Sequence, residues 1–271
     1  MEGNMIPDLS GVQIKTTNVN RNIYMLEATG DVAGNIGASV GPEGVLLVDT
    51  QFAPLADQIR NALTTVSGKE IRFIINTHCH EDHTHGNAAL GEDATLIAHL
   101  QTWQQFKKDS NRSLEKVITF EKQKSFQFNG ERVDILHFPN GHTASDSIVV
   151  FNNANVVHLG DLLNSGDWSF PFVDLDLGGS IDGLIQNVRS ILDIIPQDVK
   201  IIPGHYGITD REGLKSTFEM LLETIGIVRE QMAMGTELEQ IKIRGFPSRY
   251  DSWGKGYTQA SQWIENIYYG S

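Results

Sequence analysis

Cysteine is almost missing from this chain. Cys79 is the only one in 271 residues, so no internal disulfide framework can hold the fold, and the cysteine pattern gives no argument for an oxidising compartment. Long hydrophobic runs are missing too: no segment approaches the roughly 20 apolar residues that a membrane helix requires, which argues against a membrane partner. Basic charge is scarce, with 21 Lys and Arg against 34 Asp and Glu and a formal net charge of -13. Phosphate contact draws on Lys and Arg, so a general nucleic-acid binder is disfavoured. The acidic balance reads instead as solubility, with small-molecule substrates tolerated. The opening MEGNMIPDLS has neither a basic n-region nor an apolar h-region. The chain is therefore expected to be cytoplasmic, or to be one from which an export signal has been removed. Nothing in the pattern sets an oligomeric state.

Hydrophobic residues make up 40% of the chain, enough to bury the core of one large domain with a helical appendage. Alternation and β-branched content predict strands at NIYMLEA (22–28), IGASVG (36–41), GVLLVDT (44–50) and, as a buried apolar run, IRFIINTH (71–78). TLIAH (95–99), SIVVF (147–151), NVVHLGD (155–161) and VKIIPGH (199–205) read the same way. FQFNGERVDILHF (126–138) reads as a hairpin turning at Asn129-Gly130. Helical spacing marks 53–68 and 180–195, the second capped by Ser180 and stopped by Pro196, and the chain reads as mostly helical from about 209 to 271. There is also an internal echo. VLLVDT, a helix and IRFIINTHCH parallel NVVHLGD, a helix and VKIIPGHYG, each half placing an Asp at one strand end and a His at the next. Two βαβ-like halves whose strand ends meet at one crevice are the expectation.

Four histidines, an aspartate and the single cysteine crowd into NTHCHEDHTHGN (76–87). His78, His80, Asp82 and His83 form H-x-H-x-D-H, and on a tight loop after a strand these positions can face two centres. Imidazole nitrogen and carboxylate oxygen are the ligands of hydrolytic zinc sites, which keep one position open for water. His142 in PNGHT, Asp161 in HLGD and His205 in IPGHYG each follow a glycine, which lets the backbone approach closely. Together these groups supply about seven ligands, enough for two metals bridged by one carboxylate.

The set THCHEDH, GHT, GD and PGH, in that order and preceded by VLLVD, resembles the metallo-β-lactamase-fold hydrolase superfamily over nearly the whole chain. The resemblance implies an α/β fold, an αββα sandwich of two mixed β-sheets flanked by helices, as a single domain over 1–271 with a helical C-terminal portion. It implies two divalent metal ions, zinc in the first place and iron or manganese as alternatives. His78, His80 and His142 would hold the first, Asp82, His83 and His205 the second, and Asp161 would bridge them. Asp49 matches the family's strand-end aspartate, expected to orient the ligand loop. The implied chemistry is attack of a metal-activated hydroxide on the carbonyl of a small acyl-type substrate, lactam, lactone, ester or thioester, with Asp82 both ligating and orienting the nucleophile.

The branch is less determined. Lactamases with a cysteine ligand carry it where this chain has Asp161, with a lysine three residues later where this chain has Asn164. The bridging aspartate resembles glyoxalase II and the lactonases, but their second histidine is here Asp146. A thioesterase or lactonase of that kind is thus the alternative. A di-iron redox or oxygen-handling protein is the alternative of another class. SGDWSFPF (165–172) has the composition of a substrate-facing loop, so Trp168, Phe170 and Phe172, with Trp103 and Phe106, are candidates for an apolar wall. Tyr206 and His85 are further candidate substrate contacts. Cys79, His99, His137 and His158 read as structural groups.

Overall fold

The computed structural model describes residues 6–108, 114–164 and 169–271. The first sheet has seven strands in chain order: β1 (Ile14–Asn20), β2 (Ile23–Ala28), β3 (Ile36–Gly41), β4 (Gly44–Val48), β5 (Ile71–Asn76), β6 (Thr95–His99) and β7 (Val117–Phe120). The first four are antiparallel, and from β4 to β7 the pairing is parallel. The second sheet has six: β8 (Gln123–Phe128), β9 (Glu131–His137), β10 (Ser147–Phe151), β11 (Val156–His158), β12 (Lys200–Ile202) and β13 (Thr209–Asp210), antiparallel throughout except for the parallel pair β11 and β12. The β8–β9 hairpin turns at Asn129 (φ 53°) and Gly130 (φ 74°), the two left-handed residues that a type I′ turn demands.

The layering follows from period-two alternation along the strands. In β4, Leu46 and Val48 face the second sheet, while Val45 and Leu47 face outward under a helix. In the second sheet, Phe151, Val156 and Ile202 close the central layer, and Ile148, Val157 and Ile201 face outward. The outward face of the first sheet is covered by α1 (Ala56–Thr64) through Ile59 and Leu63, with short α2 (Glu81–Thr84) and α3 (Asn87–Leu90) at its edge and α4 (Leu100–Phe106) after β6. The second sheet is covered by α5 (Ile181–Ile194), α6 (Arg211–Ala233), α7 (Leu238–Arg244) and α8 (Ala260–Gly270). The result is the αββα sandwich. No helix of the described residues is long and apolar enough to cross a membrane.

The internal echo is real in this arrangement: β4 pairs in parallel with β5, and β11 with β12. Asp49 and His78 leave the carboxyl ends of the first pair, Asp161 and His205 those of the second. The predicted helix over 53–68 is shorter, a single 3₁₀ turn at Ala53–Leu55 leading into α1. Ser180 caps α5 as expected, its hydroxyl accepting from the Gly183 N–H at 3.1 Å.

Candidate metal centre

The loop after β5 divides at His80. His78 lies in the bend that follows β5, while His80 is the residue preceding α2, so Asp82 and His83 fall in the first turn of that helix. His142 comes from the turn between β9 and β10, Asp161 from the turn after β11 and His205 from the turn after β12. The glycines before Asp161 and His205 have specific reasons. Gly160 has φ +52° and packs against Thr77, and a Cβ on Gly204 would overlap the Asp161 carboxylate. A side chain at Gly160 would press on Thr77, and one at Gly204 would displace the Asp161 carboxylate.

The donor atoms converge as two groups, His78, His80, His142 and Asp161 in one, and Asp82, His83 and His205 in the other, each with its atoms within 4.8 Å of one another. In the first, His80 Nδ1 lies 3.2 Å from His78 Nε2 and 2.8 Å from His142 Nε2. Metal–nitrogen bonds of about 2.0–2.1 Å at a tetrahedral angle put ligand nitrogens roughly 3.3 Å apart, so three histidines so placed can hold one ion. Each outer nitrogen is engaged. His142 Nδ1 donates to the Phe172 carbonyl at 2.6 Å, His80 Nε2 meets Asp174 Oδ2 at 2.9 Å, and His78 Nδ1 meets Thr77 Oγ1 at 3.0 Å. The Thr77 hydroxyl itself donates to Asp49 Oδ2 at 2.7 Å, leaving its oxygen to accept. A neutral imidazole carries one proton. With that proton on the outer nitrogen of all three rings, three lone pairs face one point, an arrangement that calls for a cation.

In the second group Asp82 Oδ2 is 3.4 Å from His83 Nε2 and 3.2 Å from His205 Nε2. Asp161 spans both groups: Oδ2 is 3.6 Å from His142 Nε2 and 3.5 Å from His205 Nε2, while Oδ1 is 3.1 Å from His83 Nε2. His83 Nδ1 donates to Asp49 Oδ2 at 2.8 Å, and His205 Nδ1 faces Asp31 Oδ1 at 3.4 Å. His83 Nε2 and Asp161 Oδ1 are both fully buried and, among the described residues, have no hydrogen-bond partner, a costly state for buried polar atoms that a cation between them relieves.

The electrostatics differ from ring to ring: burial opposes charge on His80 too, but its hydrogen bond to Asp174, with Asp82 and Asp161, outweighs it and raises that ring, whereas His78 and His142 are lowered. Burial, reinforced by the neighbouring rings, depresses His78 well below the ordinary imidazole range and takes His142 down to about 4, favouring the neutral ligand form. Burial opposes charge on His83 and His205 as well, but Asp161 foremost, with Asp82, outweighs it and holds both rings well above that range. The second pocket therefore strongly favours positive charge.

The structure also places the other sequence candidates. Phe172 is 40% exposed, its ring centroid 5.9 Å from that of His142 and 6.3 Å from that of His80. Phe170, in contrast, is buried against Phe246 and Trp253, and Trp103, half-buried against the core under the first sheet, stacks on the buried Phe106. Neither belongs to a wall of the site. Trp168 lies outside the described residues. Tyr206 is adjacent to His205, and its hydroxyl accepts the Tyr257 N–H at 3.1 Å, tying the C-terminal segment to the site. His85 is not brought into either group; its Nδ1 accepts the Ala53 N–H at 2.9 Å, at the start of the turn leading into α1. His158 is a satisfied core group between the Asn35 carbonyl and the Gly160 N–H. Burial raises the Cys79 thiol to about 11, so it stays protonated. Asp31 and Asp174, which face the outer nitrogens of His205 and His80, carry no motif in the sequence, and Thr77, which faces that of His78, opens THCHEDH without a role assigned to it there.

A sequence profile described as the metallo-beta-lactamase superfamily matches residues 29–205. A metallo-beta-lactamase type 2 from Elizabethkingia meningoseptica is 24% identical over 226 residues, 78% of this chain and 86% of its own length. A hydroxyacylglutathione hydrolase from Pelagibacter ubique (strain HTCC1062) is 31% identical over 140 residues, 50% of this chain and 52% of its own. The solved metallo-beta-lactamase from Pontibacter korlensis superposes with a TM-score of 0.67 at 16% identity, covering 78% of this chain and 99% of that one. Fold, site and relatives define a metallo-hydrolase, an enzyme with a His/Asp cluster of metal-binding type. The chain belongs to the metallo-beta-lactamase superfamily.

Proposed function

We propose that this protein is a dinuclear metal-dependent hydrolase of small acyl-type substrates, lactam, lactone, ester or thioester, with zinc as its metal. One observation carries the reading: the Asp161 carboxylate lies between the two donor groups, with Oδ1 and the facing His83 Nε2 buried and without a hydrogen-bond partner among the described residues. His78, His80 and His142 would hold one ion, Asp82, His83 and His205 the other, and Asp161 would bridge. When bound, such a pair of ions lowers the pKa of a shared water toward neutrality and polarises the substrate carbonyl.

The residues supply position and proton handling. The Asp82 side chain is 26% exposed, against 10% for Asp161, so Asp82 is the carboxylate open enough to meet a water or a substrate proton and orient it. Phe172, at the mouth beside His80 and His142, offers an apolar face for the acyl portion. The resemblance to lactamases and to a hydroxyacylglutathione hydrolase supports carbonyl hydrolysis and leaves the substrate to be chosen by experiment.

The test is turnover by the metal-loaded protein on a chromogenic cephalosporin, an acyl-glutathione thioester, a homoserine lactone and a phosphodiester, beside metal content. Hydrolysis of a carbonyl substrate with two zinc ions per chain, lost in Asp82→Ala without loss of fold, is the expected result. Retained activity in Asp82→Ala would refute the role given to Asp82. Iron with an optical band and no turnover on any carbonyl substrate would overturn the hydrolase reading in favour of a redox protein.

A further inference from the structure

The two outer-nitrogen acceptors that serve His142 and His80 come from one short extended stretch, Phe172 to Asp174. In an extended chain the N–H and C=O of successive residues point to opposite edges. On one edge, the Phe172 carbonyl accepts from His142 Nδ1 at 2.6 Å and the Asp174 N–H donates to the His142 carbonyl at 2.8 Å. Asp174 then sends its carboxylate to His80 Nε2 at 2.9 Å. On the other edge only Val173 presents groups, and Val173 is fully buried. Both of its backbone groups are taken by one side chain: the Val173 N–H donates to Asn266 Oδ1 at 2.7 Å, and Asn266 Nδ2 donates to the Val173 carbonyl at 2.7 Å. The amide acts as a substitute strand, pairing as a backbone neighbour would.

Asn266 sits on α8, whose Trp263, Ile264 and Ile267 are buried in the core under the second sheet. It lies outside the residues matched by the superfamily profile. The stretch it grips has no regular strand on that edge to fix it, so the amide sets where the 172–174 segment stands relative to the histidines.

We infer that Asn266 is a positioning residue for the three-histidine group: through Val173 it fixes the Phe172 carbonyl and the Asp174 carboxylate, which in turn set the tautomer and aim of His142 and His80. This rests on the metallo-hydrolase reading above. A substitution at Asn266 leaves every ligand-type residue and both acceptors in the chain but releases the grip on Val173 between them, while Asp174 keeps its bonds from the Leu177 N–H at 2.9 Å and the Gly179 N–H at 2.7 Å. Loss of a partner at the outer nitrogen typically weakens metal binding by about 10–100-fold, and a group acting one step further out is expected near the lower end, about tenfold.

The experiment titrates cobalt(II) into the full-length chain, following the visible spectrum and competing with a chelator. Asn266→Leu, which removes both hydrogen bonds at similar size, should weaken one of the two cobalt sites about tenfold and alter its absorption bands, leaving the other site unchanged. Asn266→Asp keeps an acceptor for the Val173 N–H and should fall between. Ile267→Val trims the buried face of the same helix and serves as the stability control. It should lower Tm while leaving both cobalt affinities and the spectrum as in the wild type. A wild-type chain that binds two cobalt ions, with Asn266→Leu indistinguishable from it or no weaker than Ile267→Val, overturns the inference alone. A wild-type chain that binds no cobalt overturns the functional reading, and this inference with it.

Discussion

Asp49 Oδ2 lies 2.8 Å from His83 Nδ1, both side chains completely shielded from solvent. The same carboxylate accepts the Thr77 N–H at 2.9 Å and the Thr77 hydroxyl at 2.7 Å, and that hydroxyl is the partner of His78 Nδ1. One buried aspartate therefore orients a histidine in each donor group. It does so from the left-handed backbone region, φ +65°, where few non-glycine residues sit and where aspartate is among the more tolerant. The carboxylate needs acceptor capacity for three donors.

Asn at position 49 has one acceptor oxygen and presents an NH₂ to donors that need an acceptor. Asp49→Asn should therefore weaken binding of metal at the Asp82, His83 and His205 group by about 10–100-fold with the fold retained. Chelator competition on the zinc-loaded protein, with circular dichroism as the check on folding, measures this. Wild-type affinity in Asp49→Asn would mean that the aspartate only braces the loop.

Removing metal should cost stability as well as activity. Three imidazole lone pairs converge in the first group, and His83 Nε2 of the second and the Asp161 Oδ1 facing it lack hydrogen-bond partners among the described residues. A ligand that binds only the folded state at about a thousand times its Kd adds about 4 kcal/mol. For a chain of this size that corresponds to a rise in Tm of about ten degrees. Thermal melts before and after chelation, then after zinc is restored, give the number. A Tm unmoved by chelator would show that the groups hold no metal in the folded protein.

The ligand-type residues were legible because each carries local chemistry. H-x-H-x-D-H is contiguous, and His142, Asp161 and His205 each end an apolar run and follow a glycine. The buried strands were legible for the same reason, as apolar runs with turn signals. The edge strands β1 and β7 were not, because IKTTNVN and VITF are half exposed and lack a clean apolar face. The groups behind the ligand-type residues were not legible either. His80 and Asp174 are 94 residues apart, and a lone carboxylate among 34 acidic residues carries no spacing signal. The partner of His142 is a backbone carbonyl, which has no residue type at all. The aromatic loop was recognised as a whole, yet alternation along it decides the outcome: Phe170 turns into the core and Phe172 out to the site.

Among the described residues of the aromatic loop, Phe172 is the ring that reaches the donor groups. Its carbonyl serves His142 whatever the side chain, so Phe172→Ala removes only the ring. If the ring packs on the substrate, its loss forfeits about 1.4 kcal/mol of apolar contact, about tenfold in KM, with kcat held within about twofold. Steady-state kinetics on whichever carbonyl substrate turns over decides it; an unchanged KM would remove Phe172 from the substrate pocket.

A pH effect is expected away from the metal groups, at His99. Its ring stacks on His137, centroids 3.8 Å apart and planes within 11°. His99 Nδ1 caps α4 by accepting the Gln101 N–H at 3.3 Å, while Nε2 donates to the Glu121 carbonyl at 3.0 Å. Both ring nitrogens are thus committed to the neutral tautomer. Burial and then the His137 ring lower the His99 pKa, and burial lowers that of His137. Because the folded pKa lies below the unfolded value of about 6.5, the unfolded chain binds more protons in that window. The contribution to stability is therefore whole above about pH 6.5 and declines as pH falls toward the lowered folded values. Asparagine is a good cap that cannot titrate, so His99→Asn should gain stability relative to wild type between about pH 7.5 and about pH 5.5. Urea melts of both proteins at the two pH values measure that difference, and a difference that stays constant would show that His99 does not titrate on unfolding.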